Sequence, residues 1–180
     1  MDLEDRDGMS HWLGVAVTLS FTIGLHRKDN YDSIHPRPFP NSMRRLWKCL
    51  WWSIMYREAF TALGFGRPMR IDSENCDVPI PTVQEVFGPS LDGIPDDIRG
   101  SLPHGTLEMA ALWINLLELG LLLERVLKRH YRPRSVPASP AELEDEESAI
   151  LSCRDRLLSL RTSDSHVLAI HAAHLKTYYK

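Results

Sequence analysis

Apolar side chains recur along most of this chain at intervals of three and four rather than two, the spacing that gathers them on one side of an α-helix. Five segments carry that pattern, and none alternates as a half-buried strand would. The first covers residues 10–24: Ser10 is placed to cap it, Trp12, Val15, Val17, Leu19 and Ile23 are its apolar positions, and Gly24 can take the left-handed conformation that closes a helix. His26 and Arg27 follow, where the helix dipole favours positive charge. The stretch is shorter than the ~20 apolar residues of a membrane span, and Thr18, Ser20 and Thr22 interrupt it.

A run with Pro36, Pro38 and Pro40 leads to Ser42, a second capping candidate, and to a helix over residues 43–63. Leu46, Trp47, Leu50, Trp51, Ile54, Phe60 and Leu63 make one broad face, with Trp52, Met55, Tyr56 and Ala59 beside it. A helix covered so fully in large side chains is predicted to be a central strut, sheathed on all sides by neighbouring helices. Cys49 is expected among its core residues. Gly64 is predicted to end the helix and Gly66 to keep the chain turning. Arg44 and Arg45 oppose the dipole in its first turn, so they call for acidic or carbonyl partners from elsewhere.

Residues 66–103 form a long connection punctuated by Pro79, Pro81, Pro89 and Pro95, with a short helical turn over 83–87. A third helix is predicted over 106–131, with Leu107, Ala110, Ala111, Ile114, Leu117, Leu121 and Val126 facing inward. After a basic, proline-containing linker over 132–138, Ser139-Pro140-Ala141-Glu142 spells a capping box with proline at the first helical position. The fourth helix it opens carries Leu143, Ile150, Leu151, Leu157 and Leu158. A fifth, over 164–180, carries Val167, Ile170, Leu175 and Tyr178 and reaches the chain end with no closing cap. The expectation is one partial all-α domain over 1–180: a bundle or solenoid-like array of about five helices with a long proline-rich connection, truncated at the C-terminus. Apolar helix faces would then lack cover.

Charge and chemistry narrow the function classes. With 21 basic and 24 acidic side chains the net charge is -3, so no global positive field draws the chain onto phosphate or an anionic membrane. Three widely spaced cysteines cannot close a disulfide framework and fit a reducing compartment, and the acidic opening is not that of a secretory signal. His166, His171 and His174 share one predicted helix but lack cysteine or carboxylate partners at ligand spacing, so they are expected to be solvated or packed. The acids Glu142, Glu144, Asp145, Glu146 and Glu147 sit in the opening turns of a helix, where the dipole favours them. Asp96-Asp97-Ile98-Arg99 puts an arginine where a magnesium-chelating aspartate motif needs a carboxylate. There is no Gly-x-Ser-x-Gly turn and no phosphate-binding glycine loop. No catalytic, cofactor-binding or metal site is therefore expected. Arg67 and Arg70, in Gly-Phe-Gly-Arg-Pro-Met-Arg-Ile, are expected to pin their loop through ion pairs with Asp72, Glu74 and Asp77 and by donating to helix-end carbonyls.

One order of motifs carries more information than any single residue. Trp12-Leu13-Gly14-Val15-Ala16 and Ile23-Gly24-Leu25-His26-Arg27 precede Arg44-Arg45-Leu46-Trp47 and Trp51-Trp52-Ser53; then come Leu63-Gly64-Phe65-Gly66-Arg67-Pro68-Met69-Arg70-Ile71 and Asp77-Val78-Pro79. In this the chain resembles the fungal-specific transcription factor domain, the middle homology region of zinc binuclear-cluster regulators, most clearly over residues 12–81. The branch it looks similar to is the cutinase transcription factor group. Lys48-Cys49-Leu50 before the tryptophan pair, and Arg57-Glu58 where an arginine-aspartate pair is common, depart from the family pattern.

The resemblance implies a regulatory domain in transcription control, located in the nucleus, that works with protein or intramolecular partners of the transcription machinery. It implies DNA binding and zinc only in a separate six-cysteine cluster, so this stretch itself would touch no nucleic acid or membrane. Arg44, Arg45, Trp47, Trp51, Trp52, Gly64, Arg67, Pro68, Arg70, Asp77 and Pro79 are the signature positions, with a structural or regulatory role. The alternative is a free-standing helical module that binds an apolar effector or a protein partner.

Overall fold

The computed structural model describes residues 3–28, 40–92, 106–131 and 137–159. Among the described residues the chain forms five α-helices and no strand: α1 (Leu3–Thr22), α2 (Asn41–Phe65), α3 (Val83–Asp92), α4 (Thr106–His130) and α5 (Pro140–Ser159). A single 3₁₀ turn at Ser73–Asn75 interrupts the connection between α2 and α3. None of these helices is long and apolar enough to cross a membrane. The expected helix over 164–180, with His166, His171 and His174, lies outside the described residues, as do Asp96, Asp97 and Arg99 and most of the 132–138 linker.

α2 packs against α1, α3 and α4, while α4 also receives α3 and α5. Two apolar clusters fill the gaps. The larger joins Val17 and Leu25, Trp51, Trp52, Ile54 and Met55 of α2, Leu117 of α4, and Ile71 and Val78 from the connection. The smaller joins Leu112 and Leu119 of α4 to Cys153 of α5, with Phe60, Met109, Leu116, Leu122 and Leu123 around them. Gly120 lies where α4 meets α2, and a Cβ there would stand 3.6 Å from the Tyr56 Cα, so any side chain larger than alanine would push the helices apart.

Several local expectations need correction. α1 begins at Leu3, so Ser10 is an interior residue and not a cap. Its inward stripe is Leu13, Ala16, Val17 and Phe21, not Trp12, Val15, Leu19 and Ile23, which are exposed. The helix is apolar on two sides, and spacing alone does not say which side meets Trp51. Nor is α2 sheathed all round: Trp51, Trp52, Ile54 and Met55 are buried, but Met43, Leu46, Leu50 and Leu63 face outward. Among the described residues its neighbours, α1, α3, α4 and the connection that follows it, leave those positions uncovered. Pro40, not Ser42, occupies its N-cap position and accepts from the Met43 and Arg44 N–H groups through its carbonyl. At the other end Gly64 is still helical, and Gly66, with φ 60°, makes the turn. The Gly66 N–H donates to the Leu63 carbonyl and the Arg67 N–H to that of Ala62, the paired bonds of a Schellman closure.

The turn expected over 83–87 is a ten-residue helix, opened by a capping box in which the Glu85 N–H donates to Thr82 Oγ1 and the Thr82 N–H to Glu85 Oε2. The same motif opens α5, where Ser139 and Glu142 bond reciprocally as the spacing predicts. On α4, Leu107 is exposed, and burial centres on Ala110, Leu112, Leu117, Leu119 and Leu127, because both flanks of the helix are covered. On α5, Leu143 and Leu151 are exposed and Cys153 is the buried anchor. Cys49 is only half-buried.

Candidate functional site

Trp51, Trp52, Arg67, Arg70, Asp77 and Pro79 meet at the connection that follows α2, while Arg45 faces Glu85 of α3. Gly66 turns the chain, and the segment 67–81 then packs into the same core as Trp51 and Trp52. Ile71 and Val78 are pegs in the main core, with Met69, Cys76 and Ile80 packed beside them. The segment has almost no regular structure of its own, so its backbone is held by side chains.

The principal holder is Glu58, whose side chain is 0% exposed. It lies seven residues after Trp51 and three after Met55, on the buried stripe of α2. Arg67 grips both carboxylate oxygens, at 2.9 and 3.3 Å. The Arg70 N–H donates to Oε1 at 2.9 Å, and the Arg70 guanidinium bonds Oε1 and Oε2 at 3.2 and 3.0 Å. Burial alone would raise the pKa of this carboxyl; the Arg67 and Arg70 bonds outweigh it and hold the group below the usual carboxylate range. Arg70 reaches further, donating to the Ser10 carbonyl at 3.4 Å across Gly14, where a Cβ would sit 2.3 Å from its Nη1. Glu58 thus ties α2 to the loop, and through Arg70 to α1.

A second buried acid secures the next stretch. Glu124, 2% exposed on α4, accepts the Ser73 N–H at 2.8 Å and pairs with Lys128 at 2.9 Å. Lys128 also bonds Asp72, whose carboxylate caps the 3₁₀ turn by accepting the Glu74 N–H at 3.0 Å. Desolvation would lower the pKa of this ammonium, but the bonds to Asp72 and Glu124 raise it overall. Between the two acid clusters lies a cavity of about 70 Å³ lined by Met69, Arg70, Ile71, Glu124, Leu127 and Lys128, room for a water or two.

The rest of the loop is stapled to α1 and α2. The Trp52 Nε1–H donates to the Pro79 carbonyl at 3.0 Å. Asp77 donates its N–H to the His26 carbonyl, accepts the Lys28 N–H at 2.6 Å, and pairs with Arg27 at 3.6 Å. His26 does not act as a dipole-neutralising cation: its ring lies against Phe21 and Trp51, and burial lowers its pKa. Arg45 donates to the Glu85 carbonyl at 3.4 Å, and Lys48 pairs with the Glu85 carboxylate at 2.8 Å, which is the kind of carbonyl and acid partner the first turn of α2 calls for. Arg44 is half-buried in the same turn, as is Trp47 one turn on, while Pro68 stays exposed.

The arginine partners differ from the expected ones. Arg67 and Arg70 bond the upstream Glu58, not Asp72, Glu74 and Asp77, which go to Lys128 and Arg27. Sequence reasoning passed over Glu58 and Glu124 as site residues. A signal was present: each is an acid on the apolar stripe of its helix, a position that requires buried cationic or N–H partners.

Among the described residues no group of three or more His, Cys, Asp or Glu side chains could hold a metal ion. The cysteines are on separate elements, and Cys153 Sγ is directed at the Asn115 carbonyl, so they do not fit a six-cysteine zinc cluster. What the fold and its clamps define is an all-helical domain in which Arg67, Arg70 and Asp77 are spent on bonds to α1 and α2 and to the residues just after α1. The chain belongs to the fungal specific transcription factor domain family, whose sequence profile matches residues 1–135. It is 32% identical over 136 residues to cutinase transcription factor 1 beta of Fusarium vanettenii, covering 71% of this chain and 14% of that protein. It is 27% identical to the acetamidase regulatory protein of Aspergillus oryzae, over 86% of this chain and 18% of the relative. With the acetamidase regulatory protein of Emericella nidulans the identity is 25%, over 91% and 19%. The chain therefore spans less than a fifth of the length of these curated relatives. No solved structure matches. Family and relatives alike place the chain in the regulation of transcription.

Proposed function

We propose that this chain is a regulatory scaffold of a nuclear transcription factor, which modulates output through contacts with other protein segments and carries out no reaction. DNA contact and zinc belong, in this reading, to a six-cysteine cluster outside these 180 residues, and Arg44, Arg45, Trp47, Trp51, Trp52, Gly64, Arg67, Pro68, Arg70, Asp77 and Pro79 serve as the framework of the domain. The observation that carries it is the commitment of the loop arginines: Arg67 and Arg70 are bonded to the buried Glu58 and so are not free to grip a phosphate or a substrate carboxylate. The net charge of -3 supplies no field to compensate.

The test is to tether the chain to a heterologous DNA-binding domain upstream of a reporter. Transcription should change relative to the DNA-binding domain alone, and Glu58→Ala should abolish the change. Purified chain that bound duplex DNA tightly at physiological salt would sink the proposal. The alternative, an apolar-effector binder, has less support, because the cavity at the loop is too small for such a ligand and the groove along α1, about 650 Å³, is open to solvent. A thermal-shift survey with fatty acids separates the two.

A further inference from the structure

Two buried carboxylates from different helices hold the same short stretch of backbone. Glu58 of α2 accepts the Arg70 N–H at 2.9 Å, and Glu124 of α4 accepts the Ser73 N–H at 2.8 Å. Both side chains are buried, so neither acid can trade these bonds for bonds to water while the fold stays closed. Only Ile71 and Asp72 separate the two attached N–H groups. Ile71 is itself 2% exposed, a peg in the main core. The cavity between the two acid clusters, about 70 Å³, gives that peg nowhere to go. Freeing one N–H therefore pulls on the other, and opening either clamp leaves a buried carboxylate short of a donor.

We propose that the Glu58 and Glu124 clamps form a single fastener, which opens and closes as one unit and couples α1 to α4 through residues 70–73. Arg70 is its α1 end: the guanidinium sits on Glu58 and also donates to the Ser10 carbonyl at 3.4 Å. At the α4 end Ser73 is held by Glu124, and Asp72 by Lys128. A disturbance of the Lys128 pairs on α4 is then felt at Ser10 on α1, although those pairs include neither Arg70 nor Glu58. Opening withdraws Ile71 from the core that it shares with Trp51 and Trp52, so the two states differ in exposed apolar surface. A two-state element that can be biased from two helices is what physical coupling between sites requires. This coupling holds whatever the chain's role in transcription.

Amide hydrogen exchange, followed by NMR on the whole 180-residue chain, tests it. In the wild type the Arg70 and Ser73 amides should be protected to within about threefold of each other and respond alike to low urea. Glu124→Gln acts on α4, yet it should speed exchange at Arg70 as much as at Ser73, by about tenfold, while the Cys153 amide of α5 keeps its wild-type rate. Glu58→Gln should produce the converse, a matching rise at Ser73. If either variant does not fold, Lys128→Gln, which keeps a donor toward Glu124, should raise both amides together by a smaller factor. Exchange that rises at Ser73 and not at Arg70 in Glu124→Gln overturns the proposal, as do wild-type protection factors that differ by about tenfold or more. A rise that Cys153 shares means that only global unfolding frees these amides, and overturns it too.

Discussion

Two sets of ion pairs between elements differ in depth. Beside α2, Glu58 is wholly buried and takes five bonds from Arg67 and Arg70. Between α4 and α5, Arg156 meets Glu118 at 2.7 Å, and Arg129 meets Glu146 at 3.0 Å, but Arg156 and Glu118 are about half exposed. Water competes for the Arg156–Glu118 pair in both folded and unfolded chain, so its net contribution is small. Glu58 has no such alternative: once its partners are gone the carboxylate must shed its charge or the loop must open. The connection over 66–81 therefore combines buried ion pairs with the apolar pegs Ile71 and Val78, while Cys153 is the buried apolar anchor of α5.

The comparison breaks most sharply at Glu58 itself. Glu58→Ala strands two arginines and should cost about 3–5 kcal/mol in urea denaturation, enough to unfold a marginal domain. A loss under about 1 kcal/mol would mean that Ile71 and Val78 hold the loop by packing alone. Acid should act on the same group by a gentler route. A carboxyl whose pKa is lowered by folding contributes stability that is present above its unfolded value and lost as pH falls through the folded one. His26, lowered by burial, works in the same direction from about pH 6.5 downward, because the fold favours the neutral ring. Thermal midpoints followed from pH 7 into acid should fall, and Glu58→Gln should flatten the lower limb. Lys128 behaves oppositely, its contribution persisting until pH rises through a folded pKa above the ordinary lysine value.

Gly66→Ala probes the clamp without touching a charge. A φ of 60° is strained for alanine, and the loss should be about 1 kcal/mol, read from the denaturation midpoint. Arg156→Ala should lie at the bottom of the scale, within about 0.5 kcal/mol of wild type. A larger effect would show that the α4–α5 pairs form a cooperative network and would erase the contrast between the two places.

Helix existence was legible because it depends on local spacing and on caps. The box at Ser139 and Glu142, the closure at Gly24 and the long apolar run of α2 are all local patterns, and each is found where its residues predict. Which stripe of α1 turns inward was not legible, because both stripes have helical spacing and only the position of Phe21 and Val17 against Trp51 breaks the tie. The arginine loop shows the same division. That Arg67 and Arg70 need acids could be read from their neighbours, but the choice of Glu58 over the nearer Asp72 could not.

By itself, then, the amino-acid order determined the helical class, the boundaries at Gly24 and at the Ser139–Glu142 box, and the motif series that carries family membership. Tertiary structure alone decided which acids are buried, which face of α1 is left in water, and how far α2 is covered. The physical reason is range: hydrogen bonds within a helix and its caps join residues a few positions apart, whereas burial and charge pairing are settled by whatever distant segment arrives on the same face.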